Sequence, residues 1–317
     1  MSGWREAAAL AESSPLAWPG VRGPVFADYP LAPLTTWKVG GPARYLAVPS
    51  DLEDVFQLFR RAGVEGWPLF FLGRGSNVLI ADAGLPGLTL HLARAFQGWE
   101  RREDRWRVGA GVSLPRLARQ AAAWGVSGFE FLAGIPGTVG GAVRLNAGAH
   151  GRSLAGLLTR VWVATPGLHL LELPAGELEL GYRSSRLLSL PHWLVVEAEF
   201  RLPAEASPAA VRQRMRELLT ARRARQPSHP RTCGSVFKNP PAAAAAGYLI
   251  EAAGLKGRRR GDAQVSRRHA NFIINRGQAQ AGEIQALIRE VEEEVRRRHG
   301  VRLEREVVFL PGDYAGK

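Results

Sequence analysis

The feature that most constrains the fold of this chain is the glycine-rich segment 133–151, AGIPGTVGGAVRLNAGAHG. It contains six glycines between Gly134 and Gly151, a density that disfavours both a stable helix and an ordinary strand. A flexible linker is the alternative, but linkers are polar, whereas this run is apolar and is stiffened by Pro136. The segment therefore predicts a loop that wraps a large flat ligand at backbone contact distance.

A second glycine-containing segment, LGRGSNVL at 72–79, lies between two short apolar runs that predict strands. Small residues there allow successive backbone N–H groups to converge on one anion, an arrangement called a nest. The segment lacks the third glycine and the following helix of a Rossmann fingerprint, and no GK[ST] follows as in a P-loop. A tight hairpin would look similar, so the segment alone leaves both interpretations open.

Charge and cysteine content restrict the class of protein. The net charge is +13 from 42 basic and 29 acidic residues, but only four of the basic residues are lysines, and the arginines are scattered along the whole chain. A GC-biased genome, which replaces surface lysine by arginine, explains this composition better than nucleic-acid binding does. Nucleic-acid binding requires a clustered basic patch. The single cysteine, Cys233, excludes an internal disulfide. Neither a signal peptide nor a membrane span is recognisable, so we expect a cytoplasmic enzyme.

Hydrophobic periodicity and capping signals predict the following elements. Helices are expected at 50–62, where Ser50 and Glu53 form a capping box and Gly63 ends the helix, and at 113–125, 207–223 and 281–299. Strands are expected at 68–72, 78–80, up to 109, 158–164, 168–173, 193–202 and 301–310. These elements predict a lead-in at 1–27, one unit at 28–204 with lobes at about 28–90 and 91–204, a second unit at 205–300, and a closing strand and tail at 301–317.

Three further short segments carry reactive side chains, although each is uninformative alone: GYRSS (181–185), CGSVFKNP (233–240) and LEREV (303–307). In order with TTWKVGGPA (35–43), LGRGSNVLI (72–80), the glycine-rich segment, AGLKG (253–257) and QVSRRHANFIIN (264–275), they cover nearly the whole chain from about Leu34 to Leu310. In this order the segments resemble the MurB family, UDP-N-acetylenolpyruvoylglucosamine reductases of peptidoglycan synthesis. The chain is similar to the shorter subtype, which lacks an inserted loop with a substrate-closing tyrosine.

The resemblance implies an α+β fold: a two-lobed FAD-binding domain similar to vanillyl-alcohol-oxidase (PCMH-type) flavoproteins, plus a smaller α/β substrate-binding domain. It implies that NADPH reduces FAD and that hydride passes from flavin N5 to UDP-N-acetylglucosamine enolpyruvate, giving UDP-N-acetylmuramate for cell-wall growth. Covalent FAD in some relatives needs a His in the first glycine loop. Here that loop offers Arg74 and Ser76, so we expect non-covalent FAD. We expect small-molecule partners, no nucleic acid or membrane, and a monomer.

The resemblance also implies roles for three residues. Arg183 matches the family's arginine, and its planar fork suits the substrate carboxylate on which negative charge develops. Ser235 matches the family's proton donor; a hydroxyl is a poor acid, so Lys238 and the Gly234 turn are candidate helpers. Alternation along a strand cannot distinguish Glu306 from Glu304, because both side chains would face the same side. Glu306 is chosen because its EV dipeptide matches the family motif. As a hydrogen-bond donor, Glu306 must have a raised pKa.

Ligand-binding residues follow from the same match. Substrate contacts are expected from Tyr182, Lys238, Asn239, Lys256 and His269, although His269 has the alternative of a partly buried polar residue. The FAD diphosphate is expected on 73–77, with 134–141 and Gly148 around the rings and ribityl chain. The cofactor residues are Gly73, Arg74, Gly75, Ser76, Asn77, Val78, Leu79, Gly134, Ile135, Pro136, Gly137, Thr138, Gly140, Gly141, Ala142, Asn146 and Gly148. We expect no metal.

Two residues depart from the family pattern or lack a role in it. Arg144 occupies a place where an aromatic residue is common, and Cys233 is interpreted as a packing residue. The alternative function is another FAD-dependent oxidoreductase of the same fold, such as a sugar-alcohol oxidase. The GSVFKNP and LEREV segments argue against that alternative.

Overall fold

The structure is a computed structural model that describes residues 14–203, 205–227 and 229–314. Those residues form an α+β fold. Its α-helices are α1 (Leu52–Glu65), α2 (Leu114–Ala123), α3 (Val139–Arg144), α4 (Pro208–Arg225), α5 (Ala246–Ala252) and α6 (Ala281–His299). Short 3-10 turns lie at Ala32–Leu34, Glu130–Gly134, Leu154–Gly156, Ala175–Leu178 and Arg186–Ser189.

The described residues also form 17 strands. They are β1 (Val25–Pro30), β2 (Pro42–Ala47), β3 (Leu69–Leu72), β4 (Val78–Ile80), β5 (Leu85–His91), β6 (Trp99–Arg102), β7 (Arg105–Gly109), β8 (Gly148–Ala149), β9 (Arg152–Ser153), β10 (Leu158–Ala164), β11 (Leu170–Pro174), β12 (Leu194–Arg201), β13 (Thr232–Ser235), β14 (Arg259–Arg260), β15 (Ala263–Val265), β16 (Phe272–Asn275) and β17 (Val308–Leu310).

The first lobe is a mixed four-stranded sheet in the order β1-β2-β5-β3, with β2, β5 and β3 parallel and β1 antiparallel. One face packs against α1 through a buried apolar stripe that includes Val55, Leu58 and Phe59. Trp18, inside the predicted lead-in, is also buried in this core and contacts the ring of Tyr45 edge-on. Part of the predicted lead-in is therefore folded structure, and β1 begins within it.

The second lobe is an antiparallel five-stranded sheet in the order β11-β10-β12-β7-β6. Trp106 and Phe200 on this sheet are fully buried beside Phe129, which packs edge-on against both rings. α2 and α3 cover this core. α4 also packs on it through Met215 and Leu218, although the sequence assigns that helix to the second unit.

The remaining sheet has the order β13-β16-β15-β14 and is covered by α5 and α6. Hydrogen bonds of Trp37 help to join it to the first lobe. Trp37 donates its ring N–H to the Ile273 carbonyl at 2.8 Å, and the Asn275 side chain donates back to the Trp37 carbonyl at 2.8 Å. The final strand β17 returns to the first lobe and pairs in parallel with β4. The C-terminal chain thereby lies beside the 73–77 loop.

Three predictions from the sequence are corrected by the structure. The first helix is capped by Asp51, whose side chain accepts from the Asp54 amide, and it ends at Glu65 before Gly66, because Gly63 continues the helix. The glycine-rich segment does form a six-residue helix, α3. The closing strand is limited to Val308–Leu310, since the amide of Glu306 donates instead to the Val236 carbonyl.

Asp54 fixes the start of α1 and carries a pH-dependent part of the stability. Its buried carboxylate accepts N–H bonds from Arg22, Gly23 and Ser50 at 2.8–2.9 Å. Burial raises the pKa of Asp54, but these backbone donors outweigh it and hold the pKa below its usual value. A lowered pKa contributes stability above the ordinary pKa of aspartate, about 3.9, that is lost as the pH falls through the folded value.

We therefore expect Asp54→Asn to lower the free energy of unfolding at pH 7 by about 1–3 kcal/mol, because an amide cannot accept three charge-assisted bonds. The deficit should shrink as the pH falls below about 4, because protons then bind the carboxylate of the unfolded wild-type chain more readily than the folded one, whose pKa is lower. Urea unfolding at a series of pH values measures this. Glu53→Gln, one residue away and exposed, is the control. A deficit that stays constant down to pH about 2 would contradict the assignment.

Candidate active site

A cavity of about 980 Å³ opens between the two lobes and the C-terminal sheet. One wall is the 73–77 loop, and the opposite wall is the glycine-rich segment with α3. The C-terminal unit closes it with Ser235, and Arg183 and Glu306 also line it. The cavity thus brings together five of the segments that the sequence analysis singled out.

The 73–77 loop leaves its backbone donors free. Gly75 has φ +59°, and a Cβ there would lie 2.3 Å from the Leu34 carbonyl oxygen, so no larger residue fits. The Gly75 carbonyl accepts from the Thr36 amide at 3.0 Å, which anchors the loop. Within the described residues, four consecutive amides donate to no oxygen: Arg74, Gly75, Ser76 and Asn77. These four donors are available to an anion, as in a nest.

His91 contacts the start of this loop through a hydrogen bond with the Gly73 backbone, although the sequence analysis did not identify it. It is buried and lies beside Leu72 in the register of β5 and β3. Burial lowers the pKa of His91 to about 4, and the positive charges of Arg94 and Arg74 act in the same direction. A hydrogen bond with the Gly73 backbone opposes this shift. The imidazole is therefore neutral near pH 7 and adds no charge beneath the loop.

The glycine-rich wall is held by tertiary hydrogen bonds. The Val139 amide donates to the Val112 carbonyl, and the Gly140 amide donates to the Ala110 carbonyl, both at 2.9 Å. These bonds explain how a glycine-rich run forms the first turn of α3. Gly73 approaches Thr138 so closely that a Cβ would lie 2.8 Å from the threonine hydroxyl. The two walls therefore meet at one end of the cavity.

The predicted cofactor residues fall into two groups. Those that line the cavity are Gly73, Arg74, Gly75, Ser76, Asn77, Val78, Ile135, Pro136, Gly137, Thr138, Gly141, Ala142 and Gly148. Leu79, Gly134, Gly140 and Asn146 are not part of the cavity lining. Asn146 is buried, where its amide donates to the Gly181 carbonyl and its oxygen accepts from the Ala155 amide.

Arg183 and Glu306 form an ion pair inside the cavity. Arg183 Nε donates to Glu306 Oε1 at 2.7 Å, and Nη2 donates to the Gly148 carbonyl at 2.9 Å. The exposed side-chain fractions are only 21% and 15%, so water screens the pair weakly. Arg183 has φ +51°, a backbone conformation uncommon for a residue with a side chain. The guanidinium thus joins the glycine-rich wall to the C-terminal segment.

Burial raises the pKa of Glu306 above its usual value, and the positive charges of Arg183 and Lys238 only partly oppose the shift. The backbone of Glu306 is fixed on both sides, since its carbonyl accepts from the Asn77 side chain at 2.8 Å and its amide donates to Val236. Glu304 differs sharply, because it is exposed and pairs with Lys238 Nζ at 2.5 Å. Of the two glutamates, only Glu306 has the environment that a neutral carboxylic acid requires.

Ser235 lies at the end of β13 with its hydroxyl unpaired among the described residues. Gly234, at φ +89°, makes the turn before it. The turn after it is fixed by the buried Asn271, whose side chain accepts from the Phe237 amide at 2.9 Å and donates to the Phe237 carbonyl at 2.8 Å. Sequence reasoning missed Asn271; an amide side chain inside the apolar run at 270–274 is the signal that marks it.

Four of the predicted substrate residues lie outside the cavity lining, on the segments around α5. The Asn239 amide donates to the Tyr182 hydroxyl at 3.4 Å, and the Asn239 side chain accepts from the Ala246 amide at 3.1 Å. Lys256 pairs with Glu251 at 2.6 Å. Burial lowers the pKa of His269, and Lys256 lowers it further. Lys238 alone of the predicted substrate residues lines the cavity.

Comparison with known proteins relates this geometry to a family. Residues 226–310 match the UDP-N-acetylenolpyruvoylglucosamine reductase C-terminal domain, and residues 43–166 match an FAD binding domain. A UDP-N-acetylenolpyruvoylglucosamine reductase from Synechococcus sp. (strain JA-3-3Ab) is 45% identical over 91% of this chain and 92% of its own length. The chain belongs to the UDP-N-acetylenolpyruvoylglucosamine reductase family. It is therefore an oxidoreductase of the MurB type, as the sequence motifs predict.

Two more members of the reductase family agree with this placement. UDP-N-acetylenolpyruvoylglucosamine reductase 2 from Symbiobacterium thermophilum is 45% identical over 88% of this chain and 89% of its own length. The crystal structure of MurB from Thermus caldophilus has a TM-score of 0.76 and 37% identity, and the match covers 92% of this chain and all of that one. The predicted two-lobed FAD-binding domain with a smaller C-terminal domain is confirmed.

The structure shows the surroundings of Arg144 and Cys233, the two residues that depart from the family pattern or lack a role in it. Arg144 donates to the Trp193 carbonyl at 3.0 Å and lines the cavity. Cys233 is buried, and burial together with Glu306 raises the pKa of its thiol well above the usual value. Along the described ranges, each helix is too short or too polar to traverse a bilayer. The same ranges hold no cluster of three His, Cys, Asp or Glu side chains suited to a metal.

Proposed function

We propose that this chain catalyses the NADPH-dependent, FAD-mediated reduction of UDP-N-acetylglucosamine enolpyruvate to UDP-N-acetylmuramate. The observation that carries the proposal is one cavity that unites the free amides of 74–77 with Ser235, Arg183 and Glu306. The cavity thereby combines an anion-binding loop, a donor hydroxyl and a partly buried guanidinium–carboxylate pair.

The residues fit FAD on structural grounds. Four amides without an acceptor among the described residues suit a diphosphate. The apolar side chains of Leu114, Ile135 and Pro136 line the neighbouring part of the cavity, as a flat ring requires. We assign the cofactor to the two glycine segments named above and expect it to be non-covalent. Bound FAD, reduced by NADPH, would supply hydride to the substrate.

Arg183 and Glu306 stabilise the charge that this reaction creates. Hydride addition to an alkene conjugated with a carboxylate shifts negative charge onto that carboxylate. The Arg183 guanidinium is positioned by Glu306 and by the Gly148 carbonyl, so little reorganisation is needed when an anion arrives. With its pKa raised by burial, Glu306 can hold a proton and donate a hydrogen bond toward the reacting ligand.

Ser235 gives the proton that completes the reduction. Its Oγ–H bond breaks as a C–H bond forms at the substrate carbon, and the alkoxide must regain a proton from solvent or a neighbour. The Lys238 ammonium, which lines the same cavity, lowers the cost of that negative charge. We assign Tyr182, Asn239, Lys256 and His269 to the distal part of the sugar nucleotide. We also propose a cytoplasmic monomer with the FAD and substrate units divided near residue 204.

The spectrum of the purified protein gives the most direct test. We expect bound flavin, released as FAD by heat or acid, and anaerobic bleaching by NADPH with reoxidation by the enolpyruvyl sugar nucleotide. A protein that takes up no FAD would overturn the proposal. Rapid reoxidation by oxygen in the presence of simple sugars, with no response to the enolpyruvyl substrate, would instead favour the sugar-alcohol oxidase alternative.

A further inference from the structure

Helix α4 carries six arginines, and one of them differs from the rest. Five are exposed to solvent: Arg212, Arg214, Arg216, Arg223 and Arg225. Arg222 is partly buried and lines the cavity that contains Ser235. Its Cδ lies only 2.7 Å from where a Cβ on Gly134 would stand. The absence of a side chain at Gly134 is thus what lets the arginine lie across the glycine-rich wall.

Arg222 has no counter-charge within the part of the chain that the structure describes. Among the described residues it forms neither an ion pair nor a side-chain hydrogen bond, whereas Arg183 has Glu306. Burial lowers the pKa of the Arg222 guanidinium, and the positive charge of Arg183 lowers it further. Seven arginine and lysine side chains line the cavity against three carboxylates, and burial raises the pKa of one of those carboxylates, Glu306. A partly buried cation without a partner costs stability unless a ligand neutralises it.

We propose that Arg222 binds an anionic oxygen group, a carboxylate or a phosphate, of a ligand that occupies the cavity beside Arg183. This role deepens the proposed function and rests on it. The planar guanidinium suits both groups, because each offers two oxygens to its fork of N–H donors. The anion comes either from FAD or from the sugar-nucleotide substrate, and binding measurements separate these sources.

The variant Arg222→Met keeps the length and apolar stem of the side chain and removes its charge, and Arg223→Met is the matched control on the exposed face of the same helix. The melting temperature of each apoprotein is measured first. We expect Arg222→Met to melt at the same temperature as the wild type or higher, because an unpaired charge has been removed. FAD affinity is then measured by quenching of flavin fluorescence, and affinity of the oxidised holoenzyme for the enolpyruvyl sugar nucleotide by perturbation of the flavin spectrum.

We expect Arg222→Met to weaken one of the two affinities by about tenfold or more, which is the usual size of a lost charged hydrogen bond. A loss of affinity for FAD assigns the anion to the cofactor. A loss of affinity for the substrate alone assigns it to the sugar nucleotide. Arg222→Lys should recover part of the loss, whereas Arg223→Met should match the wild type. Unchanged affinities for both ligands would overturn the role of Arg222 alone. A wild-type chain that binds neither ligand would overturn the proposed function as well.

Discussion

Ser235→Ala should bind FAD and be reduced by NADPH as fast as the wild-type protein, while turnover of the enolpyruvyl substrate falls by about 10²–10⁴-fold, the usual contribution of a positioned general acid. The reason is that the proposed mechanism uses the hydroxyl in only one of the two half-reactions. It lines the cavity but has no hydrogen-bond partner among the described residues, so its removal leaves no buried group unsatisfied. Anaerobic stopped-flow measurement of each half-reaction separates the two effects.

Two further variants make this test specific. Ser235→Cys retains a donor that is more acidic than a hydroxyl, and it should recover part of the lost rate. Ser189→Ala removes a hydroxyl from an exposed turn, where it bonds only to the Arg186 carbonyl, and should behave as the wild type. If Ser235→Ala slowed reduction by NADPH as strongly as turnover of the substrate, the residue would be holding a ligand rather than delivering a proton.

The elements that sequence predicted well are those set by local signals. The bounds of α6 follow from an apolar stripe, which includes Ile284, Leu287 and Val291, and from Gly300, which adopts the left-handed conformation at its end. The strands β4 and β10 have the predicted limits for the same reason, because a short apolar run between turn residues leaves few alternatives.

The elements that sequence misjudged depend on distant partners. Glycine density argued against a helix at 139–144, yet the carbonyls of Ala110 and Val112 accept the first amides of α3. Apolar alternation predicted a strand from Val301 onward, but Lys238 and Val236 engage the backbone at Glu304 and Glu306, so that β17 begins only at Val308. Neither set of contacts can be read from a local window of residues.

In the candidate site, too, some residues were predicted from the sequence and others became apparent only from tertiary contacts. Ordered motifs located Ser235, Arg183 and Glu306 in one family pattern, but they gave no reason for Arg222 or Asn271. Arg222 is one of six arginines on a helix with a weak apolar stripe, and only packing against Gly134 distinguishes it. The choice of Glu306 over Glu304 rested on a dipeptide match, whereas the structure provides a physical difference, burial beside Arg183 against exposure beside Lys238.

The difference in burial predicts that substitution of Glu306 lowers kcat strongly and that substitution of Glu304 hardly changes it. Glu306→Leu should lower kcat by about 10²–10³-fold, the usual loss when a preorganised donor to a developing charge is removed. Glu306→Gln should retain much more activity, because a neutral amide can still donate a hydrogen bond. Glu304→Gln, which loses only an exposed partner of Lys238, should change kcat by less than about threefold.

The pH profile distinguishes a neutral donor from a structural anion at Glu306. If the protonated acid is the working form, the wild-type kcat declines as the pH rises through the pKa of Glu306, and burial places that decline above the usual glutamate value of about 4.3. Glu306→Gln does not titrate and should lose this limb of the profile, whereas Glu304→Gln should keep it. Equal losses in Glu306→Gln and Glu306→Leu, with the limb intact in both, would instead assign Glu306 the role of an anion that orients Arg183.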